Sequence, residues 1–180
     1  MTNAVLAEAS GEAQADGLTI KQRLSPHDRA KLAAQLMRHE GTKRDRQGMH
    51  VAYRCSAGAL TVGYGHNLDA NPVPGLNEDS VLNEDQACRL LAADIRLQED
   101  LITRALPFAG RLEAVRYAVL INMCFNLGIN GLLKFKNTLA LVERGDYSGA
   151  ALGMLQSKWA KQVGRRAREL ALQMGTGVWA

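Results

Sequence analysis

One stretch concentrates the residue types that can move a proton or hold a water. It runs His39-Glu40-Gly41, then Cys55-Ser56-Ala57-Gly58-Ala59-Leu60-Thr61-Val62-Gly63-Tyr64-Gly65-His66. Here a carboxyl leaving the end of a helix faces a hairpin that carries a thiol, a hydroxyl and a Gly-x-Gly-His turn. Carboxyl and thiol groups can serve in acid–base chemistry when their surroundings set the right protonation state. A glutamate at a helix end is most often a solvated surface residue, so the stretch nominates acid–base chemistry without naming a reaction. Other signatures are missing: there is no Walker loop, GxGxxG, HExxH or GxSxG. The histidines, at positions 27, 39, 50 and 66, lack metal-like spacing. No metal or cofactor is expected.

These groups need elements to position them. Ser25-Pro26 reads as a helix cap followed by proline at the first helical position. Leu32, Ala33, Leu36 and Met37 share one face of a helix that runs to about His39 and delivers Glu40 at its end. Residues 51–55 and 59–64 read as two short strands around Ser56-Ala57-Gly58, a hairpin signal. Asn83 with Gln86 resembles a capping box, opening a helix of about 22 residues that ends before Pro107 and can bridge two lobes. Further helices are expected near 111–127, 136–144, 146–156 and 165–174, the first apolar on most faces and therefore central. The expected organisation is a mobile extension over residues 1–24 and one domain over 25–180, with a small lobe at about 41–80 and a helical lobe at about 81–180.

A chain of 180 residues can bury a substantial core without staples. With 47% hydrophobic and 22% charged residues, it is neither disordered nor fibrous. No apolar run approaches the roughly 18 residues of a membrane span, and the start, with Glu8, Glu12 and Asp16 before Lys21, does not read as an export signal. Cytosolic residence until the membrane is breached, and no stable membrane association, are the expectations. Three cysteines make no disulfide scaffold, and Cys88 and Cys124 read as small buried hydrophobes. The net charge of +4 is uneven: −6 over residues 67–100 and +5 over 134–180. A basic face suits polyanions such as an anionic cell wall; no motif or aromatic interleaving supports nucleic-acid binding.

The same stretch resembles the active-site segment of the T-even phage lysozymes, glycoside hydrolase family 24. The family pattern is a helix-terminal Glu-Gly, then Asp or Cys, five residues, Thr, and Gly-x-Gly-His. Glu40-Gly41, Cys55, Thr61 and Gly63-Tyr64-Gly65-His66 match it. The resemblance continues through Arg116-Tyr117-Ala118, Ile121-Asn122-Met123-Cys124-Phe125-Asn126-Leu127-Gly128, Phe135-Lys136-Asn137-Thr138-Leu139, Ser157-Lys158-Trp159, Arg166-Ala167 and Gly175-Thr176-Gly177-Val178-Trp179. It covers about residues 28–179. One departure is the spacing: fourteen residues lie between Glu40 and Cys55 where the family usually has eight, the extra ones falling within 42–50. That basic, polar loop is expected to be mobile.

The resemblance implies an α+β lysozyme-like fold, with a hairpin lobe and a helical lobe joined by a long helix. It implies a monomeric phage endolysin that hydrolyses the β-1,4 bond between N-acetylmuramic acid and N-acetylglucosamine in bacterial peptidoglycan. Glu40 would be the general acid, its pKa raised by partial burial; Cys55 the second group; Thr61 the holder of the attacking water, in an inverting arrangement. His66 and Asp94 would pair to pin the turn, and Arg166 would face Glu40. Asn67, Phe125, Asn126 and Thr138 would line the saccharide groove, with Gly153 where the family often has a polar side chain. Three readings of Cys55 stand side by side: a working base whose pKa is lowered by Arg54 or another cation; a contributor of shape and polarity; or a bystander to Asp45 in the enlarged loop. Rival functions are a lytic transglycosylase on the same fold and a catalytically inactive wall-binding module.

Overall fold

A computed structural model describes residues 24–180. The extension expected over 1–24 lies outside the described residues except for Leu24, which is 1% exposed and belongs to the core. Helix α1, Pro26–Glu40, starts as the sequence implies: Ser25 Oγ accepts from the Asp28 amide at 3.1 Å and Pro26 occupies the first turn. It stops at Gly41, whose φ of 65° lies where a side chain would be strained. Its Leu32 and Leu36 are fully buried.

The small lobe follows as five short strands. These are β1 (His50–Val51), β2 (Tyr53–Arg54), β3 (Leu60–Val62), β4 (His66–Asn67) and β5 (Val81–Leu82). They form two antiparallel sheets, β2-β3-β4 and β1-β5. The expected hairpin is present, with Tyr53 opposite Thr61 and Arg54 opposite Leu60, but its strands are shorter than 51–55 and 59–64. The β4 and β5 strands were not anticipated, because two-residue strands carry no readable alternation. Val62, Leu68 and Leu82 form this lobe's own small core.

Helix α2, Glu84–Ala105, has the expected 22 residues and a reciprocal capping box, with Gln86 N to Asn83 Oδ1 and Asn83 N to Gln86 Oε1 both at 2.8 Å. A 3-10 turn over Pro107–Arg111 leads into α3, Ala114–Leu132. Tyr117–Cys124 of α3 is buried throughout, as a central helix requires. The helix was expected to end near 127; the chain breaks there at Gly128 (φ 68°, ψ 164°) and then resumes helical geometry to Leu132.

The helical lobe closes with α4 (Lys136–Glu143), α5 (Tyr147–Leu155), α6 (Lys158–Val163) and α7 (Arg165–Thr176). The short α6 was unforeseen; Ser157 Oγ caps it at the Ala160 amide, 3.0 Å. Seven helices and small antiparallel sheets among the described residues make this an α+β lysozyme-like fold. Among the described residues no single helix is long and apolar enough to cross a membrane.

Candidate active site

Glu40 is the last residue of α1, and its carboxyl is held from two sides. Arg166, at the start of α7, donates from Nη1 to Glu40 Oε1 at 2.7 Å. The two side chains are 7% and 19% exposed, so the pair lies largely out of water. Arg166 is itself fixed by Asn122 of α3, through Nε to Oδ1 at 2.9 Å and Nη2 to the backbone oxygen at 3.0 Å. On the other side stands Gly65. A Cβ there would lie 3.2 Å from Glu40 Cγ and 3.3 Å from Oε2, and its φ is 85°. The second glycine of the Gly-x-Gly turn therefore lets the backbone close against the carboxyl.

Cys55 follows β2 at the hairpin bend. Its amide donates to Ala59 O at 2.9 Å, and Gly58 N donates back to Cys55 O at 2.8 Å. The thiol is held below its ordinary pKa, first by the backbone at Ala57 against an opposing effect of burial, and then by the backbone at Ala59 and the Thr61 hydroxyl. The expected cause, a cation such as Arg54, is not the one found. Arg54 Nη1 donates to Gly58 O at 3.0 Å and lies 3.7 Å from Asp69. The bend's own dipoles favour the thiolate instead. Thr61 is 6% exposed, and its single hydroxyl hydrogen has a second acceptor in reach, Ala59 O at 3.1 Å.

Tyr53 belongs to this group and was missed in the sequence. It pairs with Thr61 across the sheet. Its phenol is pushed up by burial and by the negative charges of Cys55 and Glu40, which places both groups within its electrostatic reach. The signal was available: residues two apart in a strand share a face, and Tyr53 is two before Cys55.

The enlarged loop has a hydrogen-bonded structure of its own. It forms a hairpin in which Val51 N donates to Lys43 O at 3.0 Å, Asp45 N donates to Met49 O at 3.0 Å, and Arg44 bridges His50. Asp45 Oδ1 accepts from Gln47 N and Met49 N, both at 2.9 Å, so its carboxylate closes the turn. The hairpin is latched to the start of α2 at Glu84, which accepts from Tyr64 OH at 2.6 Å and Arg44 Nη2 at 2.6 Å. Fully buried His50 lies between, with Nε2 3.2 Å from Glu84 and Nδ1 2.6 Å from Thr42 Oγ1. Tyr64, then Arg44, bring Glu84 down to about 2. Burial and Glu84 push Tyr64 up to about 12. Cys88 is only partly buried, and its thiol donates to Glu84 Oε1 at 3.4 Å. Cys124 is buried as expected, and burial pushes it up to about 12.

His66 and Asp94 are 5% and 8% exposed and lie together. Nδ1 is 2.8 and 2.9 Å from the two carboxylate oxygens, and Nε2 is 2.8 Å from Asn71 O. Two acceptors flank the ring, which favours the imidazolium. Burial opposes the charge, but the Asp94 and Asn71 contacts outweigh it and the His66 pKa is raised. A small cavity of about 80 Å³ beside the pair is lined by Gly65, Asn67, Gln98 and Phe125 among others. Asn67 also caps its own turn, accepting from Ala70 N at 3.0 Å. Asn126 is exposed and accepts from Trp159 Nε1 at 2.7 Å. Thr138 and Gly153 line a second, larger depression of about 700 Å³ between α4 and α5. A Cβ on Gly153 would stand 2.8 Å from Thr138 Oγ1, so the glycine gives room to that hydroxyl.

The phage lysozyme family model matches residues 37–173, most of the chain and every site residue above. The chain belongs to the phage lysozyme family. Among similar proteins, an endolysin of Acyrthosiphon pisum secondary endosymbiont phage 1 is 30% identical over 115 residues, covering 64% of this chain and 73% of the relative. Two probable T4-type lysozymes of Dictyostelium discoideum are 35% and 31% identical over 66 and 68 residues, 37% and 38% of this chain and 39% and 40% of theirs. Family membership implies a glycoside hydrolase of the class that acts on peptidoglycan.

Proposed function

We propose that this protein is an endolysin-type muramidase that cleaves the β-1,4 bond between N-acetylmuramic acid and N-acetylglucosamine, with Glu40 as general acid. The observation that carries the reading is the Arg166 bond to Glu40 Oε1. A guanidinium only donates, so Oε1 is an acceptor and the transferable proton belongs on Oε2, the oxygen beside Gly65.

Glycoside hydrolysis of this kind uses two groups on opposite sides of the scissile bond. Glu40 Oε2–H gives its proton to the leaving glycosidic oxygen as the C1–O bond breaks. Thr61 positions a water, and the Cys55 thiolate takes a proton from it as its oxygen bonds to C1. A water entering on the face opposite the leaving group inverts the anomeric centre. The lowered Cys55 pKa supports it as the base, and the Asp45 turn contacts weigh against the carboxylate alternative.

Mass spectrometry of digested peptidoglycan tests the reading. Reducing muramic ends are expected. Anhydro ends would make the protein a transglycosylase, and no release would leave a binding module.

A further inference from the structure

Behind Arg166 lies a buried polar relay that ends on a second carboxylate, Glu169 of α7. Glu169 Oε2 is 3.2 Å from His39 Nε2, and Oε1 accepts from Gln35 Nε2 at 2.8 Å and from Arg38 Nη2 at 2.8 Å. Burial tends to raise its pKa, but these three partners together hold it below the ordinary carboxylate value. Glu169 is therefore ionised at neutral pH and can only accept.

That one acceptor sets the direction of every bond that follows. His39 Nε2 donates to it, so on a neutral ring Nδ1 is an acceptor, 3.2 Å from Asn122 Nδ2 and 3.4 Å from Asn122 Oδ1. Gln35 must turn its amide nitrogen to Glu169, which leaves Oε1 as an acceptor. Both acceptors meet Asn122 Nδ2, His39 Nδ1 at 3.2 Å and Gln35 Oε1 at 3.2 Å, and so use its two hydrogens. Asn122 Oδ1 is then the atom that faces Arg166 Nε, 2.9 Å away. Reversing the amide would set donor against donor at Arg166 and acceptor against acceptor at Gln35. Gln35 sends its remaining hydrogen to Gln173 Oε1, and Gln173 Nε2 is left buried with no partner, alone in this among the described residues. The direction of the relay is kept although one buried donor goes unsatisfied.

We propose that Glu169 and His39 are positioning residues for the reaction: they fix the Asn122 amide so that Arg166 is aimed at Glu40 Oε1. The proposal rests on Glu40 being the general acid. Neither residue is expected to touch substrate, so they act on the rate step rather than on saccharide binding.

Two measurements test it. In wild-type protein labelled with ¹⁵N-histidine, two-bond ¹H–¹⁵N correlation at pH 7.5 should show His39 as the Nε2–H tautomer. An Nδ1–H or doubly protonated ring would overturn the relay, since either puts a donor against Asn122 Nδ2. In the second, Glu169→Gln can donate as well as accept and so loses the direction. On soluble uncross-linked glycan strands its kcat should fall by at least about tenfold, as mis-aimed catalytic groups do, with KM within about twofold. Glu169→Asp, which still only accepts, should recover much of the loss. An unchanged kcat in Glu169→Gln, or an equal loss in both variants, would overturn the proposal. Glu40→Gln run in parallel separates the two failures. If it is active, the functional reading falls and the proposal with it; if it is inactive while Glu169→Gln is not, the relay alone falls.

Discussion

Arg166 and Glu40, 126 positions apart in the chain, meet at 2.7 Å between Nη1 and Oε1. The contact joins the last residue of α1 to the first turn of α7 and leaves Oε2 as the oxygen able to carry a proton. Glu40→Gln keeps the shape but has no proton to give. Wall lysis should fall by about 10²–10⁴-fold, the range for a general acid, while the fold survives. A variant above half the wild-type rate would remove Glu40 from the role.

Cys55 should be needed as a thiolate. Cys55→Ala is expected to lose most activity and Cys55→Asp to keep much of it. Alkylation should stop the enzyme, because only the reduced, ionised sulfur accepts a proton. Full lysis by protein whose Cys55 is completely alkylated, as mapped by peptide mass spectrometry, would exclude the thiol.

Asp45→Ala separates structure from chemistry in the enlarged loop. Losing two turn hydrogen bonds should cost roughly 1–2 kcal/mol of stability, read by denaturant unfolding, while the lysis rate of the folded protein barely changes. A large loss of rate at full stability would return Asp45 to the mechanism.

The His66–Asp94 pair makes stability depend on pH. The folded pKa of His66 is raised above its unfolded value, near 6.5. Its contribution is therefore fully present below about pH 6.5 and fades as pH rises through the folded pKa. Asp94→Asn should be less stable by roughly 3 kcal/mol in the acidic range, as broken buried pairs are, and should lose this fade. Thermal unfolding against pH reads it, and an NMR titration with an unshifted His66 would contradict the pairing.

Glu84 acts in the opposite sense. Its folded pKa is depressed to about 2 from an ordinary 4.5. The stability it contributes is present above about pH 4.5 and is lost as pH falls toward 2. The carboxylate is half exposed, so solvent screening keeps the effect small. Glu84→Gln should flatten the acid limb over that window and speed hydrogen exchange in residues 43–51. Unchanged exchange there would show that the hairpin does not depend on the latch.

Local chemistry in the sequence was enough to place α1 and α2. Ser25-Pro26 and the Asn83/Gln86 pair are caps made by side chains a few positions from the amides they satisfy, so they are legible in one dimension. The Glu40, Cys55 and Thr61 spacing, with its family resemblance, likewise nominated the site and its chemistry before any fold was known. Tertiary structure decided what depends on partners far apart in the chain. The loop at 42–50 reads as polar and loose, yet Glu84 and Tyr64 anchor it from other elements. Asp45 reads as a spare carboxylate, but two backbone amides bond one of its oxygens, Oδ1. Glu169 carries no motif, and His39 stands in the sequence only as the neighbour of Glu40. Their part follows from burial, which removes water as an alternative partner and forces each donor in the relay to meet an acceptor.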